Sequence, residues 1–118
     1  MFAWKLNGAI EIWNAGAEKL YGFASNEAIG RSSHSLLRTK FPIDITELHS
    51  QLRIQRHWAG ELRHTCKDGR EIIVDSRMQL FGDDTVLSVN RDITRTKALL
   101  AKVEESELRL RSVAAIVE

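Results

Sequence analysis

Residues 58–94, WAGELRHTCKDGREIIVDSRMQLFGDDTVLSVNRDIT, constrain this chain most. They read as three consecutive antiparallel strands that run straight into a helix. Side chains alternate along a strand, so Trp58, Gly60, Leu62 and His64 share one face. Ala59, Glu61, Arg63 and Thr65 share the other. Lys67-Asp68-Gly69 turns the chain, and residues 71–81 are rich in strand formers. Gly82-Asp83-Asp84 is a second turn, and residues 85–91 form the third strand. The preceding residues are expected to pack against this sheet, and the following ones to carry its state away.

The chain opens with a hairpin. Residues 2–6 are a short strand, Asn7-Gly8 is a strong hairpin turn, and AIEIW at 9–13 alternates as a half-buried strand does. The first strand begins almost at Met1, which suggests a piece of something longer. Asn14 is a good N-cap for a helix over 15–21, which Gly22 stops. Ser25 repeats the device for residues 26–29, closed by Gly30. Ala17, Leu20, Tyr21, Phe23, Ala28 and Ile29 are the core contacts expected here. Residues 31–41 read as a polar stretch, an apolar SLL and a turn at Phe41-Pro42. Asp44 or Thr46 is placed to cap an amphipathic helix over 44–56, with Ile45, Leu48 and Leu52 on its apolar stripe.

Thr94 reads as the N-cap of a helix over 95–117 that contains neither Gly nor Pro. Leu100, Val103, Leu110, Ala114 and Val117 fall near heptad spacing, interrupted by Glu107. That stripe predicts the start of a dimeric coiled coil. The alternative is a helix folded back on its own domain.

The 118 residues suit one domain, and a net charge of +1 gives no broad field for nucleic acid or anionic membrane. Cys66 is the one cysteine, so no intrachain disulfide exists. No run approaches the roughly 20 apolar residues of a membrane span, and MFAWKLNG is not a signal peptide. A soluble cytoplasmic domain is expected. Enzyme motifs are missing: there is no phosphate loop, no zinc-ligand spacing and no G-x-S-x-G. Ser33-His34-Ser35 lacks the helical surroundings of a phosphoacceptor histidine. The chain is therefore expected not to be an enzyme by itself.

The hairpin with its Asn-Gly turn, AGAEKLYGF, SNEAIG, WAGELRHTCKDGREIIVDS and the closing NRDIT follow one another in an order and spacing that resemble a PAS domain. The resemblance spans residues 3–97, and LLRTKFP followed by a helix and W-x-GEL-x-H is similar to PAS modules of bacterial sensor histidine kinases. It implies an α+β fold: a five-stranded antiparallel sheet in order 2-1-5-4-3, short helices on one face, and a C-terminal signalling helix. Residues 1–93 would be the sensory domain and 94–118 the helix. The implied function is a sensory and dimerisation module of a signalling protein with a C-terminal effector. The alternative is a protein-interaction module with a filled core and no ligand.

A small-molecule pocket, by the same analogy, would be lined by Leu48, Leu52, Leu62, His64, Val74, Ser76, Leu87 and Val89. A slip of one residue inverts such a list. Asp92 and Thr94 would tie the last strand to the signalling helix. The cofactor stays unassigned. Haem through His49 is disfavoured, since that residue lies beside the apolar stripe and haem-binding relatives place the ligand nearer Thr46. RSSHSLLRTK has no cysteine for a flavin adduct, and Cys66 is at a strand end. His34 and His57 read as solvated, His64 as a satisfied core or rim histidine. Three departures from the pattern are Ala15, His57 and the cations Arg95 and Lys97, which oppose the dipole of the last helix.

Overall fold

The computed structural model describes the backbone of residues 1–117 and the side chains of residues 1–109. Asn7 and Gly8 turn the chain between β1 (Phe2–Lys5) and β2 (Ile10–Trp13). Gly8 takes φ +102°, a conformation that favours glycine. Three short helices follow, α1 (Ala15–Tyr21), α2 (Ser25–Ala28) and α3 (Ser33–Leu36), and then α4 (Ile45–Gln55). The meander β3 (His57–Thr65), β4 (Glu71–Phe81) and β5 (Thr85–Asp92) leads into α5 (Thr94–Val117). All pairings are antiparallel, and the order is β2-β1-β5-β4-β3 as expected.

Asn14 caps α1 by accepting from the Ala17 N–H, and Gly22 ends it in the left-handed region. Ser25, expected as the next cap, is instead the first residue of α2. There Glu27 accepts from the Ala24 N–H at 3.0 Å, so the acid at the third position serves the helix start. Helix α3 was not expected. Its SHSL sequence is poor in helix formers, but the Ser32 hydroxyl accepts from the Ser35 N–H at its start. A bulge between Ala3 and Trp4 breaks the alternation of the first hairpin. Ile10 and Trp13 are buried there while Ile12 is exposed.

One loop guards both sheet edges. Around residue 30 it bonds to β2 (Ile10 N–H to Arg31 O, Gly30 N–H to Ile10 O, both 2.8 Å). Around residue 40 it bonds to β3 (Lys40 with Arg63, Thr65 N–H to Leu37 O). The core lies between this helical layer and the sheet. Trp4, Ile10, Tyr21, Leu37, Leu48, Leu52, Leu62, Ile72, Val74 and Val86 are fully buried in it. The Trp58 indole folds over Gly60, where an added Cβ would meet the ring at 2.7 Å. That close approach is why the W-x-G step needs glycine.

The strand parity expected for residues 85–91 is corrected. Leu87 and Val89 point away from the core, Val89 being 51 % exposed, and Val86 and Ser88 are buried instead. The turn decides this. Phe81 pairs with Thr85, so Leu80 pairs with Val86 and Met78 with Ser88, and the inward parity of β4 carries over to β5.

Helix α5 leaves the sheet rather than folding back on it, and the longest extent of the molecule is 62 Å. Leu99, Leu100 and Val103 are more than half exposed. The heptad positions Leu110, Ala114 and Val117 lie outside the residues whose side chains are described.

Candidate functional site

Two polar assemblies stand out against this apolar interior. The first crosses the core. The Asn90 amide donates to the Tyr21 hydroxyl at 2.9 Å, and that hydroxyl lies 2.8 Å from Nδ1 of His64. The Tyr21 hydroxyl and Nδ1 of His64 share one hydrogen bond, and the histidine tautomer decides which of the two donates. Burial pushes the His64 pKa down to about 3 and raises that of the Tyr21 phenol, so both are neutral at pH 7. Tyr21 comes from α1, His64 from β3 and Asn90 from β5. His64 is buried, with Nδ1 in that hydrogen bond.

Ser88, next inward on β5, accepts from the Trp4 indole N–H at 2.9 Å. These two inward polar side chains are the residues that the sequence reading missed. Hydrophobicity favoured Leu87 and Val89, but buried indole and phenol groups need partners. Counting pairs back through the Gly82 turn would have found them.

The second assembly is a histidine pair. His34 on α3 packs edge-on to Trp4 (ring centroids 4.8 Å) and to Phe41 (5.0 Å). His49 on α4 lies 6.1 Å from Trp4 and 6.3 Å from His34. Nε2 of each ring is buried without a hydrogen-bond partner. Burial lowers both pKa values, that of His34 to about 4 with a further push from His49. His34 is thus half-buried and packed, not solvated as expected. His57 is exposed.

Between these assemblies the interior leaves a cavity of about 10 Å³, bordered by Phe2, Trp4, Ser33, His34, Leu37, Thr39, Phe41, Leu62, His64, Met78, Ser88 and Asn90. That is room for about one water molecule. Of the residues expected to line a pocket, Leu62 and His64 border it. Leu48, Leu52, Val74 and Ser76 are buried core elsewhere in the interior, and Leu87 and Val89 are on the opposite face of the sheet. A haem macrocycle does not fit, although His49 presents an unpartnered nitrogen. Cys66 is buried at the end of β3, its thiol 3.5 Å from the Leu20 carbonyl and its pKa raised by burial.

The exit from the sheet is tied by hydrogen bonds. Thr94 was expected to cap α5, but it is the first helical residue, and Lys97 N–H bonds to the Ile93 carbonyl. The Thr94 hydroxyl accepts from the Ile73 N–H of β4 at 2.9 Å and donates to Asp92 Oδ1 at 2.6 Å. Asp92 Oδ1 also accepts the Thr94 N–H at 3.0 Å, and Ile93 N–H bonds to the Ile73 carbonyl at 2.9 Å. Lys97 reaches Glu61 of β3 at 3.1 Å. The base of α5 is therefore fixed to β4 and β3 by backbone as well as side chains.

Comparison with known proteins agrees with this geometry. A PAS domain family model matches residues 2–95. A PAS domain of a protein from Colwellia psychrerythraea is 31% identical, with a TM-score of 0.66 over 80% of this chain and 85% of that one. The PAS domain of an HTR-like protein from Haloarcula marismortui is 23% identical, with a TM-score of 0.63 over 78% and 83%. A sensory box histidine kinase/response regulator structure from Burkholderia thailandensis is 19% identical, with a TM-score of 0.67 over 94% and 88%. A search of curated protein sequences gives no match. Among the described residues no helix is long and apolar enough to cross a membrane. With the family match covering the whole sheet, its helices and the exit motif, the chain belongs to the PAS domain family.

Proposed function

We propose that this chain is the sensory and dimerisation module of a bacterial signal-transduction protein, in the manner of a sensor histidine kinase, and that it hands a change in its interior to an effector through α5. Residues 1–93 form the sensing unit and 94–118 the output helix, which works as a homodimer in the cytoplasm. The chain itself performs no catalysis.

One observation carries this reading. Asn90 and Asp92 are two residues apart on β5, one bonded into the interior chain of Tyr21 and His64, the other into the Thr94 junction. A shift of β5 that accommodates a change at Asn90 also moves the base of α5. Exposed Leu100 and Val103 give that helix an apolar face for a second copy.

The filled interior favours the form of this module that holds no organic ligand. A cavity of about 10 Å³ stands far below the roughly 300 Å³ of a ligand pocket. The input then comes from a partner that biases two states of the sheet.

Spin labels at position 103 of both copies test the relay. Asn90→Ala and Thr94→Val should each shift or broaden the interhelix distance distribution of wild type, while Val89→Thr should leave it in place. Identical distributions in all three variants would sink the relay. Loss of dimerisation on Leu100→Asp with an intact fold is expected for the dimer helix, and an unchanged oligomeric state would remove that part.

A further inference from the structure

We propose that the free edge of β3 docks an extended acidic segment of a partner protein as an added strand, through the backbone of Ala59 and Glu61. This goes beyond the relay reading. Its test reads binding alone, so either can fail without the other.

The ladder sets which backbone groups are free. Arg63 N–H and C=O both bond to Lys40 on the open side of β3, at 3.2 and 3.0 Å, and Thr65 N–H bonds to the Leu37 carbonyl there. Ile73, the β4 partner of Arg63, directs its own N–H and C=O the other way, to Thr94 and Ile93. Alternation along the strand then turns the N–H and C=O of Ala59 and Glu61 to the same open side as those of Arg63. Both residues are exposed, and among the described residues no backbone group meets them there. The opposite edge of the sheet is covered where Ile10 bonds to Gly30 and Arg31. An edge left with such a row of donors and acceptors is a template for another strand.

Room and charge name the occupant. Where the guarding loop leaves the strand, a groove of about 440 Å³ opens beside Glu61, walled by Lys40, Phe41, Pro42, Ile73 and Lys97. It would take the side chains at one end of the added strand. The nearby carboxylates are already paired: Glu61 with Lys97, Glu71 with Lys40 and Arg63, and Asp75 with Arg91. Arg77, directly across from Ala59 on β4, is exposed and makes no ion pair among the described residues. Ala59 puts only a methyl group between that guanidinium and the open edge. Arg56, just before the strand, reaches only the Leu80 carbonyl, at 3.4 Å. These two uncommitted cations flank the free backbone, so the segment that fits carries acids. Main-chain bonds supply its affinity and the acids its selectivity.

An acetylated, amidated peptide of alternating Glu and Val, added to the isotope-labelled chain, is the probe. Before it is added, the Ala59 and Glu61 amides should exchange with solvent far faster than that of Ile10, whose edge is covered. The peptide should slow their exchange and shift their NMR resonances, with Kd on the order of 0.1–1 mM, and leave Ile10 in place. The same peptide with Lys for Glu should bind on the order of tenfold more weakly. Ala59→Pro deletes an edge donor without touching the β4 ladder and should weaken binding on the order of tenfold. If that variant misfolds, Arg77→Glu keeps the test: it should lose the Glu peptide and gain the Lys peptide. Slow exchange at Ala59 and Glu61 in the free chain overturns the proposal, because the edge is then covered already, as by a second copy. So do shifts confined to other residues, no binding at millimolar peptide, equal binding of the Lys peptide, or wild-type binding by a folded Ala59→Pro.

Discussion

The two faces of the sheet are built from similar residues and have opposite fates. On the inner face Trp4, Leu62, Val74 and Val86 are fully buried beneath α1 to α4. On the outer face Ile12, Phe81 and Val89 are each about half exposed, though as apolar as the residues inside. Strand β5 shows the contrast within one element. It turns Ser88 and Asn90 inward and Leu87 and Val89 outward, against simple hydrophobicity. The inner face is therefore defined by complementarity, including acceptors for Trp4 and donors for Tyr21, and not by apolar content alone.

The contrast breaks most sharply at α4. Leu52→Ala, which opens a cavity under a fully buried leucine, should cost about 2–5 kcal/mol in urea unfolding, if the inner face is packed as described. A loss near zero would mean that α4 is not part of the core.

Acid attacks the same face. The pKa of His34 is depressed to about 4 and that of His64 to about 3, against about 6.5 in an unfolded chain. As pH falls below about 6.5 the unfolded state takes up protons that the folded state refuses, so stability is full above that pH and is lost toward pH 3 to 4. A fall on the order of a few kcal/mol between pH 7 and 4 is expected, and His34→Gln should flatten part of it. A pH-independent unfolding midpoint over that range would contradict the buried neutral histidines.

Gly60→Ala sharpens the comparison at one atom. Its Cβ would meet the Trp58 ring at 2.7 Å, which should cost about 1–3 kcal/mol unless the indole swings away, and tryptophan fluorescence reports which occurs. The smallest effect is expected outside. Val89→Thr should change the stability of the monomer by less than about 0.5 kcal/mol. A larger loss at Val89 would reveal that the outer face is covered in the folded protein.

Much of this molecule could be read from local patterns. Asn7-Gly8, the cap at Asn14, the stop at Gly22 and the turns at Gly69 and Gly82 are short-range chemistry, so they appear in sequence and recur in the structure. The order of these signals also sufficed for the family and hence for the sheet order. Within the candidate site, the inward parity of β3 and β4 and the Asp92–Thr94 link were legible, because alternation and a five-residue motif are both local.

Contacts between distant segments decided the rest. The parity of β5 depends on pairing through the Gly82 turn and on what Trp4 and Tyr21, more than 60 residues away, require of Ser88 and Asn90. Thr94 looked like a cap, but its hydroxyl crosses to Ile73 on another strand. His34, in a polar stretch that reads as solvated, is covered by Trp4 and Phe41 only once α3 folds against the sheet. The sequence by itself determined which segments turn, which extend and in what order. Tertiary structure alone decided which polar groups are buried together and which of them find partners, because burial and hydrogen bonding across the core are properties of three-dimensional packing.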